Sequence, residues 1–342
     1  MKMLRGVIAG KFVPPHLGHS HLITSARAQC DQLTVLVCDR PEYRIPARIR
    51  IGWLRQIHPD VTFIAIKDTL DDNDSAGWAA NTIKVLGYRP DVVFSSEDYG
   101  PRYAKHLRCK HIAINPPRTA VPISGTQVRE NPWANWQYLH PVVRAYFAKR
   151  ICVVGSESTG TTTLARALAK QYDTQWVPEY GRDYTVQNFG RLEREGWNTN
   201  DFVRIARTQN THEDALAQKA NKLLICDTDS FATSIWHERY MGTRSYDTEK
   251  HAFGRRYDLY LLTDVHIPFE QDGIRDGEHF RQWMHKRIQD KLRFWGKPYV
   301  IVSGTPTERL EQSTKCIDLL MNDKTTALPG LVRDTWHPEG GF

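Results

Sequence analysis

His16-Leu17-Gly18-His19 stands directly behind the apolar run Val7-Ile8-Ala9-Gly10, with Lys11, Phe12 and the pair Pro14-Pro15 between them. The order is strand, glycine, lysine, prolines, then two imidazoles three residues apart. A helix beginning near Gly18 turns its unpaired N–H groups and positive dipole end toward the strand's end, where an anion is favoured. Lys11, His16 and His19 add donors at that point, and Gly10, Phe12 and Gly18 shape it, which makes one side of a triphosphate cradle. The other side is expected from Ile123-Ser124-Gly125-Thr126-Gln127-Val128-Arg129, where Ser124 or Thr126 caps a helix and Arg129 lies one turn in. The chemistry such a set supports is nucleotidyl transfer. A substrate phosphate attacks the α-phosphorus of ATP and pyrophosphate leaves, while the protein positions two anions and stabilises the leaving charge. Lys11, His16, His19 and Arg129 are the candidate catalytic residues, and Gly10, Phe12, Gly18, Ser124 and Thr126 the candidate ATP-binding residues.

A second constellation follows the run Ile151-Cys152-Val153-Val154. Gly155-x4-Gly160-Thr161-Thr162 has the strand–loop–helix setting of a P-loop, in which Gly155, Ser158, Gly160, Thr161, Thr162 and Thr163 wrap phosphates and the Thr162 hydroxyl reaches Mg²⁺. The lysine expected before that hydroxyl is replaced by Thr161. The strand Leu223-Leu224-Ile225-Cys226 ends in Asp227 and Asp229: one holds Mg²⁺ with Thr162, expected as Asp227, and one orients or deprotonates an attacking hydroxyl. Acidic residues also end strands with no catalytic role, and the sequence leaves that open. Glu179, Tyr180 and Arg182 carry a carboxylate, a ring and a cation suited to a nucleoside. Gln271 to Gly277, with Arg275 and then Arg281, reads as a lid whose cations cover the transferring phosphoryl group. Arg275, Arg281 or Arg166 could offset the missing lysine.

Parallel sheets must position these groups. Apolar runs at 6–10, 33–38, 61–66, 91–94 and 111–114 alternate with helical stretches, and a second series of strands follows at 151–154, 223–226, 258–262 and 299–302. The fold class is α/β, with two doubly wound parallel-sheet domains and ligands outside the strand C-termini. The expected bounds are 1–148 and 149–322, with an irregular tail at 323–342.

The chain has 342 residues, 40% hydrophobic and 25% charged, and a net charge of +7. The excess is confined to one half: residues 1–150 hold 21 Lys/Arg against 12 Asp/Glu, and residues 151–342 hold 25 against 27. No basic helix face or nucleic-acid signature accompanies it, so phosphorylated small molecules are favoured over nucleic acid. No apolar run reaches a membrane span, and no secretory leader is visible. Six scattered cysteines read as reduced thiols of a cytoplasmic protein. Nothing in the sequence excludes a homo-oligomer.

Gly10 to His19 with Ile123 to Arg129 resembles the nucleotidylyltransferase superfamily. Adding Gly77-Trp78, Ser95-Ser96-Glu97-Asp98-Tyr99-Gly100 and Arg129-Glu130-Asn131-Pro132, the first half resembles the nicotinamide mononucleotide (NMN) adenylyltransferase domain of NadR-type bifunctional proteins. The second half resembles their ribosylnicotinamide kinase domain. The resemblance implies that Trp78 stacks on the nicotinamide ring, that Asp39 and Arg40 border the mononucleotide, and that Glu179, Tyr180 and Arg182 bind the riboside. It implies ATP and Mg²⁺ as cofactors, and NMN, nicotinamide riboside and ATP as small-molecule partners. The first strand begins near Leu4, so the helix-turn-helix of some members, and their repressor role, are not expected. Thr161 leaves a second reading open, a C-terminal domain that binds nucleotide and regulates without transferring phosphate.

Overall fold

A computed structural model of the chain describes residues 3–115, 119–189, 196–270, 277–322, 328 and 330–332. It divides into two compact units, Met1–Phe147 and Ala148–Phe342.

The first unit runs β1 (Arg5–Gly10), α1 (Leu17–Arg27), β2 (Gln32–Asp39), α2 (Ala47–Ile57), β3 (Thr62–Lys67), α3 (Ser75–Leu86), β4 (Val92–Ser95), α4 (Gly100–Leu107), β5 (Lys110–Ala113), α5 (Gly125–Glu130) and α6 (Pro141–Phe147). Its five strands are all parallel in the order β3-β2-β1-β4-β5. Neighbouring strand residues serve opposite cores. Ile8, Val35, Val37, Phe63 and Phe94 pack with α1 and α2. Val7, Leu36, Cys38, Ile66 and Val93 pack with α3 and α4. Burial on both faces makes β1, β2 and β4 near-continuous apolar runs, while the edge strands β3 and β5 are partly exposed. The chain reverses direction across the sheet between β1 and β4, and that switch point opens a crevice at the strand C-termini.

The second unit runs β6 (Lys149–Val154), α7 (Thr161–Gln171), β7 (Trp176–Val177), α8 (Tyr180–Phe189), α9 (Thr199–Ala217), β8 (Leu223–Asp227), α10 (Ser230–Met241), α11 (Tyr246–Glu249), β9 (Leu259–Thr263), α12 (Arg281–Phe294), β10 (Tyr299–Val302) and α13 (Pro306–Met321). Its parallel order is β10-β9-β6-β8-β7, with β6 central. Ile151, Val153, Ile225, Leu261 and Val300 pack against Leu164 and Leu168 of α7 and Ile317 of α13. The six cysteines are free thiols, five of them buried. No helix among the described residues is long and apolar enough to cross a membrane.

Two buried polar devices position the first crevice. Arg50 of α2 is fully buried and donates to the carbonyls of Lys11, Cys38 and Ile45 and to the Asp39 carboxylate. One side chain thus ties the turns after β1 and β2 to α2. Ser20, in the same helix as His19, bridges His140 at 2.7 Å and His58 at 3.1 Å. Burial holds both imidazoles below their usual range, with His140 adding to the effect on His58 and Arg144 to that on His140.

Arg50→Met should remove about 3–5 kcal/mol from the first unit, because it orphans three carbonyls and a carboxylate together. Chemical denaturation of the full chain measures this as an earlier transition. A histidine depressed in the folded state supplies stability above its unfolded pKa and loses it as pH falls through the folded value. The first unit's unfolding midpoint should therefore drop as pH falls below about 6.5, and His58→Phe should flatten that slope. A His58→Phe protein with the wild-type acid slope would rule His58 out as its source.

Candidate functional site

The first crevice holds about 780 Å³. His16 is the N-cap of α1, its Nδ1 accepting the Gly18 N–H at 3.1 Å. In the neutral ring the proton then sits on Nε2. A Cβ at position 18 would stand 2.9 Å from the His16 ring, so glycine is what lets the imidazole lie on the helix end. His19, one turn on, packs tilted against the His16 ring at 3.7 Å between centroids, and Phe12 backs it at 4.8 Å. Phe12 itself has φ +49°. Across the crevice Ser124 caps α5 in a reciprocal box with Gln127. Thr126 accepts from Arg129 Nη2 at 2.8 Å, and Arg129 Nη1 reaches the Val13 carbonyl at 3.3 Å. A Cβ on Gly125 would lie 3.3 Å from Arg129 Nη1 and 3.8 Å from His16 Nε2. Two motifs more than a hundred residues apart thus converge on one glycine.

Lys11 pairs with Asp72 at 3.0 Å, both side chains partly exposed, a contact a phosphate could displace because exposed pairs contribute little. Trp78 lines the same crevice half-buried, its indole N–H on the Asp71 carbonyl at 3.0 Å. Asp39 and Arg40 do not line it. Asp39 accepts from Arg50 and from the Ala47 N–H, and Arg40 is paired with Asp68 at 2.7 Å. Both serve the β2–α2 and β3–α3 turns, next to Cys38 and Asp68 of the crevice wall. Ser96 and Asp98, quoted in the sequence motif without an assigned role, line the crevice, as do Asp68 and Arg102, which the sequence reading missed.

In the second unit a cavity of about 160 Å³ lies against the loop from Gly155 to Thr163. The loop is held open for an anion. Gly160, at φ +77°, is the N-cap of α7 with no side-chain cap, so the helix's first N–H groups face the cavity. A Cβ at Gly155 would collide with the hydroxyls of Thr263 and Thr159. Ser158 has φ +56°, and its Oγ accepts the Glu270 N–H at 2.8 Å. Three guanidinium groups fix the loop from behind. Arg309 donates to the Thr159 carbonyl at 2.6 Å, Arg281 to that of Ser158 at 3.3 Å, and Arg239 to Glu157 at 2.8 Å. Arg281, expected as a cation over the phosphoryl group, is instead buried and bonded to the Ser158 and Ile267 carbonyls. Arg166 lies over the Trp176 ring at 4.4 Å. Arg275 and the rest of 271–276 lie outside the described residues. Among the described lining residues Arg182 is the one Lys or Arg side chain.

Asp227 accepts from the Thr162 hydroxyl at 2.6 Å, while its Oδ1 is buried without a hydrogen bond. A hydroxyl beside a carboxylate oxygen with spare lone pairs is an oxygen donor set that fits Mg²⁺. Burial pushes Asp227 above the usual carboxylate range, against the pull of the Thr162 bond. Glu179, on the cavity wall, is pushed up by burial and then by repulsion from Asp227. Asp229 departs from expectation. It is fully buried, capping α10 through the Ala232 N–H at 2.9 Å and accepting from Tyr260 at 2.7 Å. With both oxygens committed it is a structural cap. Tyr180 also stands off the wall, packed edge-on to Tyr184. Trp197, Phe202, Trp236 and Tyr240, missed in the sequence, form an aromatic wall in its place.

The chain is similar to known proteins. A family model described as an AAA domain matches residues 150–309. The trifunctional NAD biosynthesis/regulator protein NadR of Escherichia coli (strain K12) is 31% identical over 294 residues, 79% of this chain and 71% of that protein. A crystal structure of a NadR protein in complex with NR superposes with a TM-score of 0.76 at 22% identity, over 98% of this chain and 99% of that one. Another, with NAD and AMP-PNP, gives 0.73 at 22% identity over the same shares of 98% and 99%. With two parallel-sheet units, each carrying a nucleotide-type loop at its strand C-termini, the chain belongs to the NadR family.

Proposed function

We propose that this chain is a bifunctional enzyme of NAD biosynthesis. Its first unit adenylylates NMN with ATP, giving NAD and pyrophosphate, and its second phosphorylates nicotinamide riboside to NMN. The observation that carries the first reaction is the convergence of His16 Nε2 and Arg129 Nη1 on Gly125. The NMN phosphate oxygen attacks the α-phosphorus, the bond to the bridging oxygen breaks, and pyrophosphate departs. His16 donates through Nε2, His19 packs behind it, and Arg129 with the α5 N-terminus takes up charge on the leaving group. Trp78 offers the nicotinamide ring a face. In the second unit the exposed α7 N–H groups take the ATP phosphates, and the aromatic wall with Glu179 takes the riboside. Glu179, pushed up to about 8 by burial and by Asp227, is basic enough to take the hydroxyl proton, and it is ionised above neutral pH. Mg²⁺, held by Thr162 and Asp227, supplies charge neutralisation to the phosphates when bound. The names of the curated relative and of the NR and NAD complexes support this pairing of steps.

Thr161 favours a second reading, in which the C-terminal unit binds nucleotide and regulates the transferase without turnover.

Full-length protein given NMN, ATP and Mg²⁺ should form NAD and pyrophosphate one for one, and His19→Ala should lower that rate at least 100-fold while leaving riboside phosphorylation intact. No NAD at saturating substrates would refute the transferase. With nicotinamide riboside and ATP the protein should release ADP and NMN slowly. Thr161→Lys should raise that rate by about 10²–10³, the worth of one preorganised donor. Tight ATP binding with no phosphorylation in either protein would establish the regulatory reading.

A further inference from the structure

Gln209 lines the second cavity and has no part in the proposed reaction. It lies on α9, whose buried face reads Phe202, Ile205, Ala206, Gln209, Glu213 and Ala217. Phe202, Ile205 and Gln209 present to the cavity a ring, an aliphatic chain and an amide on successive turns. Gln209 is 1% exposed. Its Oε1 accepts the Tyr180 N–H at 2.9 Å, which fixes the amide's orientation: the flipped form would set NH₂ against N–H. Nε2 is therefore the atom left over, buried and without a hydrogen-bond partner. Most buried donors in native proteins are satisfied, and this one belongs to a side chain that lines a cavity, where a bound molecule can supply the acceptor. A core position on this face would be served by leucine, with no donor to satisfy.

We infer that Gln209 reads the phosphoryl acceptor: its Nε2 donates a hydrogen bond to an oxygen of the bound nucleoside. The inference rests on the kinase reading of this cavity and deepens it. Gln209 holds the N–H of Tyr180, the residue after Glu179, and the Glu179 and Gln209 side chains line the same cavity. The ligand must offer an acceptor oxygen there, either the base carboxamide carbonyl or a ribose hydroxyl. Glutamine was invisible in the sequence because it occupies a core position of an amphipathic helix, where a polar residue looks like a lapse in the pattern.

The test is calorimetric titration of the full chain, its first cleft filled with NMN, by three ligands: nicotinamide riboside, the riboside lacking the carboxamide, and the 2′-deoxyriboside. Gln209→Glu keeps the oxygen that Tyr180 needs and removes the donor; Gln209→Leu removes both. Each variant should bind nicotinamide riboside about 10- to 100-fold more weakly, with ATP affinity unchanged and riboside KM rising more than kcat falls. The analogue missing the recognised oxygen should bind wild type and variants equally, which identifies the source of that oxygen. Variants that keep wild-type riboside affinity overturn the role of Gln209, as does an equal loss of ATP and riboside with a lowered unfolding midpoint. A wild-type cavity that ignores all three ligands yet takes another nucleoside through Gln209 overturns the riboside reading alone.

Discussion

Both nucleotide loops depend on buried guanidinium groups bonded to backbone carbonyls. A loop that turns its N–H groups toward a phosphate must turn carbonyls the other way, into the protein, and those oxygens need donors. Arginine meets that need from a helix with several N–H groups in a fixed fork, leaving the loop's own N–H groups for the ligand. Arg50 does this for Lys11, Cys38 and Ile45 in the first unit. Arg309 does it for Thr159, Gly304 and Asp264 in the second. The loops are thus preorganised by charges that never meet the substrate, a division of labour that composition alone conceals.

That division explains where the sequence was legible. Strands buried on both faces are unbroken apolar runs, so their positions and the parallel α/β order could be read directly. The glycines and histidines of the first crevice were legible because each meets a local requirement: Gly18 lets His16 lie on α1, and Ser124 caps α5. Long-range roles were not legible. Arg50, Arg281 and Arg309 look alike as residues, and only the fold decides which faces a phosphate and which faces a carbonyl. Asp229 misled for the same reason, since an acid after a strand serves equally as a helix cap, and Tyr260 with the Ala232 N–H settles it as one. Two-residue β7 is too short to register, and α9 hides its apolar stripe behind Gln209 and Glu213.

The loss of the P-loop lysine reads differently once these roles are separated. In an exposed loop a missing cation could be replaced by any nearby arginine. Here Arg281, Arg309 and Arg239 are bound to the loop itself, and withdrawing one would collapse the cradle it was meant to assist. Arg182 is the Lys or Arg side chain that the described residues place on the cavity wall.

The two proposed reactions also differ in what they must exclude. Adenylyl transfer joins two large anions, and an open crevice of about 780 Å³ with donors on opposite walls fits that task. Phosphoryl transfer to a hydroxyl competes with hydrolysis, since water is the smaller nucleophile. A cavity of about 160 Å³ walled by Trp197, Phe202, Trp236 and Tyr240 leaves little room for solvent beside a bound nucleoside. In such a place each polar group that remains must act on the ligand or be tied to the protein. Glu157 is tied by Arg239, whose guanidinium lies 5.1 Å from the Trp236 ring and 4.9 Å from Tyr240. The pair joins the phosphate loop to the aromatic wall, so the part that would grip ATP and the part that would grip the acceptor are held in one rigid relation.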